Sequence, residues 1–172
     1  AVAGTVFSAA IFNASVRDNL NVTAVGVATA AGRLIVTTAA KTVTERNPDT
    51  DTVGTSQATA TTTYVNLATT GPTVTITTGT RALVILGCAS SNSVVGNAGR
   101  MAIDLSGATT SAASDTNSIM VSSGNASDAY QLSWVTVYSP INAGSNVFQA
   151  KYRAVTAGSA SFSNRVVSIM PF

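Results

Sequence analysis

The chain has 172 residues, a length typical of one domain with an additional arm. Charged residues make up only 9% of it and the formal net charge is +2, whereas an average soluble protein carries about 25% charged residues. The nine basic residues are scattered, which argues against the positive patch of a nucleic-acid-binding protein, and no segment reaches the ~18 apolar residues of a membrane span. We therefore expect neither nucleic acid nor a membrane as a partner.

Residues that commonly carry catalysis are scarce, because the sequence contains no histidine and a single cysteine, Cys88. A Ser-His-Asp triad, a Cys/His zinc site and an intramolecular disulfide are therefore excluded. Asp104 could still form a glycosidase pair with Asp115 or Asp128 across a cleft. Aspartates in loops of β proteins are more often turn residues, so we expect no enzymatic activity, no catalytic residues, no metal and no cofactor.

An apolar stripe marks the N-terminal segment, residues 1–23. Three apolar residues recur there at helical spacing, and they predict a short helix over residues 9–20. A helix of about twelve residues is marginal alone in water, so the stripe needs a surface, either on its own domain or on a partner subunit. We interpret this segment as an anchor, and its candidate contacts are Phe12, Val16, Leu20 and the neighbouring Arg17.

The connecting segment, residues 24–56, has a mixed character. Arg33–Thr38 is predicted to be a strand, and Thr42–Glu45 could be a second one. Glu45–Asp51 is polar, contains Pro48 and lacks an apolar period, which predicts an exposed loop or linker. Whether this segment joins the main domain, pairs with another subunit or acts as a tether stays open.

From residue 57 to residue 172 the chain consists of short strands separated by turn residues. About eight strands are expected, a number that suits two packed antiparallel sheets. Arg81–Cys88 is the most apolar run and predicts a central strand buried on both faces. Tyr130–Tyr138 alternates, and we favour a core face for its aromatic side over an exposed face that stacks on sugars. The predicted fold class is all-β, an antiparallel β-sandwich of jelly-roll type with a short N-terminal helical anchor segment.

Three arginines occupy positions at or near predicted strands, namely Arg81, Arg100 and Arg165. Acidic residues number only seven in the whole chain. We expect these arginines to pair with the scarce carboxylates of other strands or of other subunits.

Several stretches resemble structural proteins of tailed bacteriophages. The N-terminal Ala3–Asn13 and the following Val16–Leu20 resemble a pattern at the start of many phage virion proteins. Later stretches resemble the β-domain of phage head-fibre, decoration or minor tail proteins, namely Thr62–Pro72, Ala143–Tyr152, Phe162–Arg165 and Ile169–Phe172. The resemblance implies an anchoring segment followed by a displayed, often oligomeric sandwich, and it implies no catalytic residue. Residues 24–56 match no such pattern.

The resemblance and the composition together favour a non-enzymatic virion protein. In the leading hypothesis it is a capsid decoration or head-fibre protein that docks on the major capsid protein or another virion protein and forms a homo-oligomer, with a trimer favoured. In the alternative it is a minor tail or receptor-binding protein, with host glycans bound by loops at one end of the sandwich, Ser90–Gly99 and Ser106–Asn117. A small hydrolase is a third and disfavoured hypothesis.

Overall fold

The computed structural model describes residues 9, 10, 13, 24–40, 42–122 and 124–172. It divides the chain into two compact units, Ala1–Asn47 and Pro48–Phe172. The helix predicted over residues 9–20 falls largely outside the described residues. So do all four predicted anchor contacts, which stay predictions: Phe12, Val16, Arg17 and Leu20.

In the first unit, a helical turn precedes a β-hairpin that forms its own two-stranded sheet. The hairpin is antiparallel, with Leu34 opposite Arg46, and its register shifts between Thr37 and Ala39. Glu45 holds the chain that enters the hairpin, because its carboxylate accepts hydrogen bonds from the backbone N and the hydroxyl of Thr29, at 2.8 and 2.7 Å. The elements are α1 (Ala24–Val27), β1 (Leu34–Ala39) and β2 (Thr42–Arg46).

The second unit contains two antiparallel sheets, which confirms the predicted sandwich. One sheet has the order β3-β11-β6-β9, with β4 also paired to β11, and the other has the order β5-β10-β7-β8. Successive strands mostly alternate between the two sheets, as expected of a jelly-roll type. The strands are β3 (Asp49–Val53), β4 (Gln57–Thr59), β5 (Thr73–Thr78), β6 (Ala82–Asn92), β7 (Ala98–Gly107), β8 (Ser118–Ser122), β9 (Tyr130–Tyr138), β10 (Gly144–Ala154) and β11 (Ala160–Pro171); a 3-10 helix covers Asp115–Asn117.

The sandwich begins earlier than residue 57, where the sequence placed its start. Strand β3 lies in the stretch predicted to be an exposed loop, and it pairs with β11 from Asp49 opposite Ile169 to Val53 opposite Arg165. A polar stretch can form this strand because β3 lies at an edge of the sheet, where one side of the backbone and many side chains remain in water. The tertiary pairing, and not an apolar pattern, produces the strand.

Alternating side chains of the long strands fill the space between the sheets. On β6, Val84, Leu86 and Cys88 are each at most 1% exposed, which confirms that Cys88 is a core residue. Phe148 and Tyr152 from β10 are fully buried opposite them. Aromatic pairs connect β10 to β9 and β11 of the facing sheet, with ring centroids 6.0 Å apart for Tyr138–Phe148 and 5.0 Å for Tyr152–Phe162.

A β-bulge interrupts the alternation in β11. Ser163 lies opposite Ala89 and Val166 opposite Gly87, so β11 contains one residue more than β6 in this interval. Asn164 has a positive φ of 48°, and the extra residue lets Arg165 face the interior, where it is 0% exposed. The bulge therefore places a large cation inside the sandwich.

Candidate interaction surface

The outer face of the five-stranded sheet, which points away from the core, carries a cluster of apolar residues near one end. Leu83 on β6 lies opposite Val137 on β9 and opposite Met170 on β11, and Ile85 lies opposite Val135 in the next row. Val135 and Val137 are 53% and 52% exposed, and Met170 is 37% exposed. We call these five residues the apolar outer face. Because β6 has apolar side chains on both faces, the sequence pattern correctly indicated a central strand, but Leu83 and Ile85 are only partly covered.

No charged side chain lies on the outward positions of β6, β9 and β11. Apart from the apolar outer face, these positions hold small or neutral residues. Exposed surfaces of monomeric proteins normally mix both signs of charge with isolated apolar residues, whereas contiguous apolar patches mark interaction sites. This face is therefore the strongest candidate for a binding surface in the described residues. Its remaining positions are Gly87, Ala89, Ser91, Gln131, Ser133, Ser161, Ser163, Val166 and Ser168.

Strand β9 adds an open edge next to this face. It is the last strand of its sheet, and within the described residues it pairs only with β6. The pairing runs from Ala82–Tyr138 to Ser90–Tyr130 without a register shift. The strand contains neither proline nor charge, which are the devices that usually protect a sheet edge. Strand β9 therefore offers the backbone groups that a second strand needs for pairing.

The predicted core face of β9 is only partly buried. Tyr138 is buried and Trp134 packs against the core, but Tyr130 and Leu132 are each 45% exposed. Their neighbours on β6 are buried, so the difference comes from the position of β9 at the edge, where side chains are covered from one side only. The alternation of apolar and polar residues identified which residues share a face of β9, but it could not indicate that, within the described residues, no strand lies on the other side of β9.

A polar cluster lies on the outer face of the other sheet. Arg153 donates from Nε and Nη2 to the two oxygens of Asp115, at 3.0 and 2.5 Å, and Tyr64 donates to the same carboxylate at 3.0 Å. Nε of Arg100 lies 3.5 Å from this carboxylate, too far for a good hydrogen bond. The hydrogen bond from Arg153, followed by that from Tyr64 and the charge of Arg100, lowers the pKa of Asp115.

This arrangement does not favour the glycosidase pair that the sequence left open. Asp115 is paired with arginines, and a lowered pKa opposes a general-acid role at neutral pH. Asp128 accepts a hydrogen bond from Asn125 in a turn, and Asp104 faces outward on β7 opposite Gln149. Within the described residues there is no cluster of three His, Cys, Asp or Glu that could hold a metal ion.

Arg165 is bound by neutral oxygens, contrary to the carboxylate partner expected from the sequence. It donates to the carbonyl oxygens of Thr69 and Gly71, and to the carbonyl and hydroxyl oxygens of Thr55, all at 3.3 Å. Its guanidinium carbon lies 5.3 Å from the centre of the Tyr152 ring, a cation–π distance. The sequence could not predict these partners of Arg165, because most of the acceptors are backbone carbonyl groups, which any residue supplies. Arg165 therefore joins two loops to the core and has no exposed surface for a partner.

A pocket of about 270 Å³ lies beside the bulge. Amide and hydroxyl side chains contribute to its wall, since Gln131, Asn164 and Thr52 lie there with Gly54 and Val166. The two loops proposed for glycan binding leave β7 at its opposite ends, but the second loop returns along β7, so that its Asp115 contacts Arg100, the residue after Gly99. In the loop Ser90–Gly99, the side chains of Val94 and Val95 are 41% and 60% exposed.

Comparisons with known proteins give distant structural likenesses, among them two structures of one virus. No protein-family model and no curated protein matches the sequence. A structure of infectious bursal disease virus, Gx strain, is 14% identical with a TM-score of 0.42, and covers 79% of this chain and 36% of that one. A structure of the Gt strain of the same virus is also 14% identical, with a TM-score of 0.27, and covers 78% of this chain and 39% of that one. The chain thus spans less than half of either, and we draw no functional conclusion at this degree of similarity.

No helix among the described residues has the length and apolar character needed to cross a membrane.

Proposed function

We propose that this chain is a non-enzymatic structural protein of a virus particle. In this proposal residues 1–23 attach it to the major capsid protein or another virion protein, as a capsid decoration or head-fibre protein is attached. The sandwich of Pro48–Phe172 is then the displayed body, in contact with neighbouring virion subunits or with other copies of itself.

One observation carries the proposal, the uncharged and apolar outer face of the five-stranded sheet. Val135 and Val137 are more than half exposed there, beside Leu83 and Met170. Such a face is unfavourable on a freely diffusing protein but is stabilised once a neighbouring subunit covers it. The low content of charged residues, 9%, supports the same interpretation, because closely packed subunits need few solubilising charges.

The chemistry of the polar groups also supports a structural role. Three arginines form their contacts within the chain. Arg100 and Arg153 form ion pairs with Asp115, and Arg165 donates hydrogen bonds to backbone oxygens. Cys88 is buried in the core, where desolvation raises the pKa of its thiol to about 12 and opposes nucleophilic use. The resemblance to phage virion proteins points to the same class of function.

Quantitative mass spectrometry of purified virus particles tests the proposal. We expect the chain to be present in the particles, and its copy number relative to the major shell protein then distinguishes the positions. Hundreds of copies would support decoration of the shell, whereas a few to a few dozen would support a fibre, vertex or tail position. Particles that assemble normally and lack the chain would contradict a virion role.

A receptor-binding role is the second candidate, and the pocket beside the bulge favours it. Gln131, Asn164 and Thr52 offer amide and hydroxyl groups of the kind that bind sugar hydroxyls, although none of them belongs to the loops first considered. Glycan-array binding by the chain, lost on Gln131→Ala, would support this role. Unchanged binding in that variant would place the sugar elsewhere.

A further inference from the structure

Strand β9 is the longest edge strand of the sandwich, and it contains neither charge nor proline. At the opposite edge of the same sheet, β3 is only five residues long and contains Asp49 and Asp51. In the other sheet, the edge strands β5 and β8 are six and five residues long. Strand β9 is nine residues long and exposes Tyr130, Leu132, Val135 and Val137, in the range 45–53%. Its free edge also presents a row of backbone donors and acceptors that water alone would satisfy.

We propose that β9 pairs in antiparallel orientation with β9 of a second copy of this chain, about a two-fold axis. This pairing joins the two five-stranded sheets into one continuous sheet and brings the two apolar outer faces onto the same side. The contact adds a second copy of the chain as a partner in the proposed virion role. It rests on that role only for where the dimer would form, namely within a virus particle.

Charge is the first argument for a second copy as the partner. A two-fold axis brings the same surface of both copies together, so a charged residue close to the axis would meet its own like charge. Strand β9 has the uncharged sequence Tyr130–Tyr138, and the adjacent outward positions of β6 are uncharged as well. A charged partner strand would find no opposite charge on β9 to pair with, whereas an identical uncharged strand meets no electrostatic repulsion.

The chemistry of the strand is the second argument. A partner for this edge must supply an extended, β-forming segment with apolar side chains at alternate positions, and β9 itself has these properties. Antiparallel self-pairing places Val135 and Val137 of one copy beside outward residues of the other on the same face of the sheet. The half-exposed valines are then covered from the side that β6 leaves open.

The size of the surface sets the strength of the contact. The edge and the apolar outer face include fewer residues than the roughly 20–30 per side of a standard stable interface. We therefore expect a weak, concentration-dependent dimer in solution, which becomes persistent only where many contacts add within an assembly. A two-fold contact does not produce the trimer favoured by the sequence, which would need another surface.

Cysteine scanning along β9 tests the inference in the full chain. Four variants each introduce one cysteine at an outward position, namely Gln131→Cys, Ser133→Cys, Val135→Cys and Val137→Cys. Cys88 is 1% exposed and does not compete for oxidation. A disulfide forms only where two Cα atoms lie about 4.4–6.8 Å apart, so only positions next to the two-fold axis can be linked. We expect covalent dimers at one or two adjacent positions and none in Thr75→Cys, an exposed residue on the outer face of the other sheet.

Sedimentation of a charged variant provides the second measurement. Val135→Lys leaves the core untouched, so its thermal unfolding should match that of the wild type, whereas we expect the dimer Kd to rise roughly 10-fold or more. Dimers whose Kd is unchanged in Val135→Lys would overturn the inference. Equal cross-linking at all four positions and at Thr75→Cys, or a monomer at every concentration with no cross-link, would do so too. Absence of the chain from virus particles would contradict the virion role and leave a measured β9 dimer standing, so the two failures are distinguishable.

Discussion

Arg100 and Arg153 lie directly opposite each other on β7 and β10, and the carboxylate of Asp115 contacts both guanidinium groups. Like charges at directly opposed positions of an antiparallel pair are destabilising. The 3-10 helix that begins at Asp115 returns the chain towards these two strands and supplies the compensating charge. Tyr64 completes the cluster from a loop that bridges to β10 at Val65. One exposed carboxylate thus holds three separate segments together.

Removal of this carboxylate is expected to make the free energy of unfolding less dependent on pH in the acid range. Asp115→Asn should lower the free energy of unfolding near pH 7 by at most about 1 kcal/mol, because the carboxylate is 49% exposed and screened by water. The pKa of Asp115 is lowered in the folded state, so its contribution is complete above the ordinary carboxyl pKa of ~3.9 and is lost as the pH falls through the lowered value.

Denaturant unfolding of both proteins between pH 2 and pH 7 (roughly the range in which carboxyl groups titrate) measures this difference. The two curves should converge at the acid end. Asp128→Asn is the matched control, because Asp128 contacts Asn125 in a turn and, within the described residues, no arginine. A difference between wild type and Asp115→Asn that persists at the lowest pH would show that the charge is not the cause.

Replacement of Arg165 is expected to have the largest effect on stability. Arg165→Lys retains the charge but loses the planar fork that reaches Thr55, Thr69 and Gly71, so buried carbonyl oxygens lose their donors. We expect the free energy of unfolding to fall by roughly 3 kcal/mol. Thermal unfolding measures it, with Arg81→Lys, at an exposed arginine, as the control. Equal effects at the two positions would contradict the assigned role of Arg165.

A methyl group at residue 99 is expected to overpack the core. A Cβ atom there would lie 2.8 Å from Cζ of Phe162 and 2.8 Å from Oγ of Ser90. Gly99→Ala should therefore lower the free energy of unfolding by about 1–3 kcal/mol. Gly54→Ala is the matched control, since its Cβ would meet nothing within 4 Å. The prediction fails if both variants unfold at the same denaturant concentration.

Cys88 is expected to be unreactive in the folded protein. It is 1% exposed, and desolvation raises the pKa of its thiol to about 12, so the nucleophilic thiolate is scarce at neutral pH. Labelling with a thiol reagent should be at least about 100-fold slower in the native protein than after denaturation. The variant Val135→Cys, with an exposed thiol in the same chain, shows whether the reagent is active. Fast native labelling of wild type would mean that the sandwich opens readily at β6.

The N-terminal anchor gives a prediction for attachment. Phe12→Asp or Leu20→Asp places a charge on the predicted apolar stripe, so we expect the chain to lose attachment to virus particles while its sandwich still folds. Particles that lack the chain are mixed with each variant and recovered by sedimentation, and circular dichroism checks the fold. Asn13→Asp, off the stripe, is the control. Wild-type attachment by Leu20→Asp would remove the anchor from the proposed function.

Alternation of apolar and polar residues was sufficient to predict the buried face of a strand that has neighbouring strands on both sides. Strand β10, which pairs with β5 on one side and β7 on the other, alternates between buried Phe148, Ala150 and Tyr152 and less buried residues between them, as the apolar alternation of its sequence indicates. The same reasoning was incomplete for β9, because Tyr130 and Leu132 have the parity of core residues and yet are 45% exposed. Side-chain parity is a local property of an extended chain, but burial depends on which strand lies next to it.

The sequence by itself determined the fold class, the use of β6 as a central strand, the burial of Cys88 and the lack of histidine-dependent chemistry, because each follows from composition or short-range periodicity. Only the tertiary structure decided that the polar residues of β3 form an edge strand, that Arg165 lies inside among carbonyl groups, and that β9 ends its sheet with an open edge. These features depend on contacts between residues far apart in the sequence, such as Asp49 with Ile169 and Ala82 with Tyr138. No local pattern encodes them, since backbone donors and acceptors are the same in every residue.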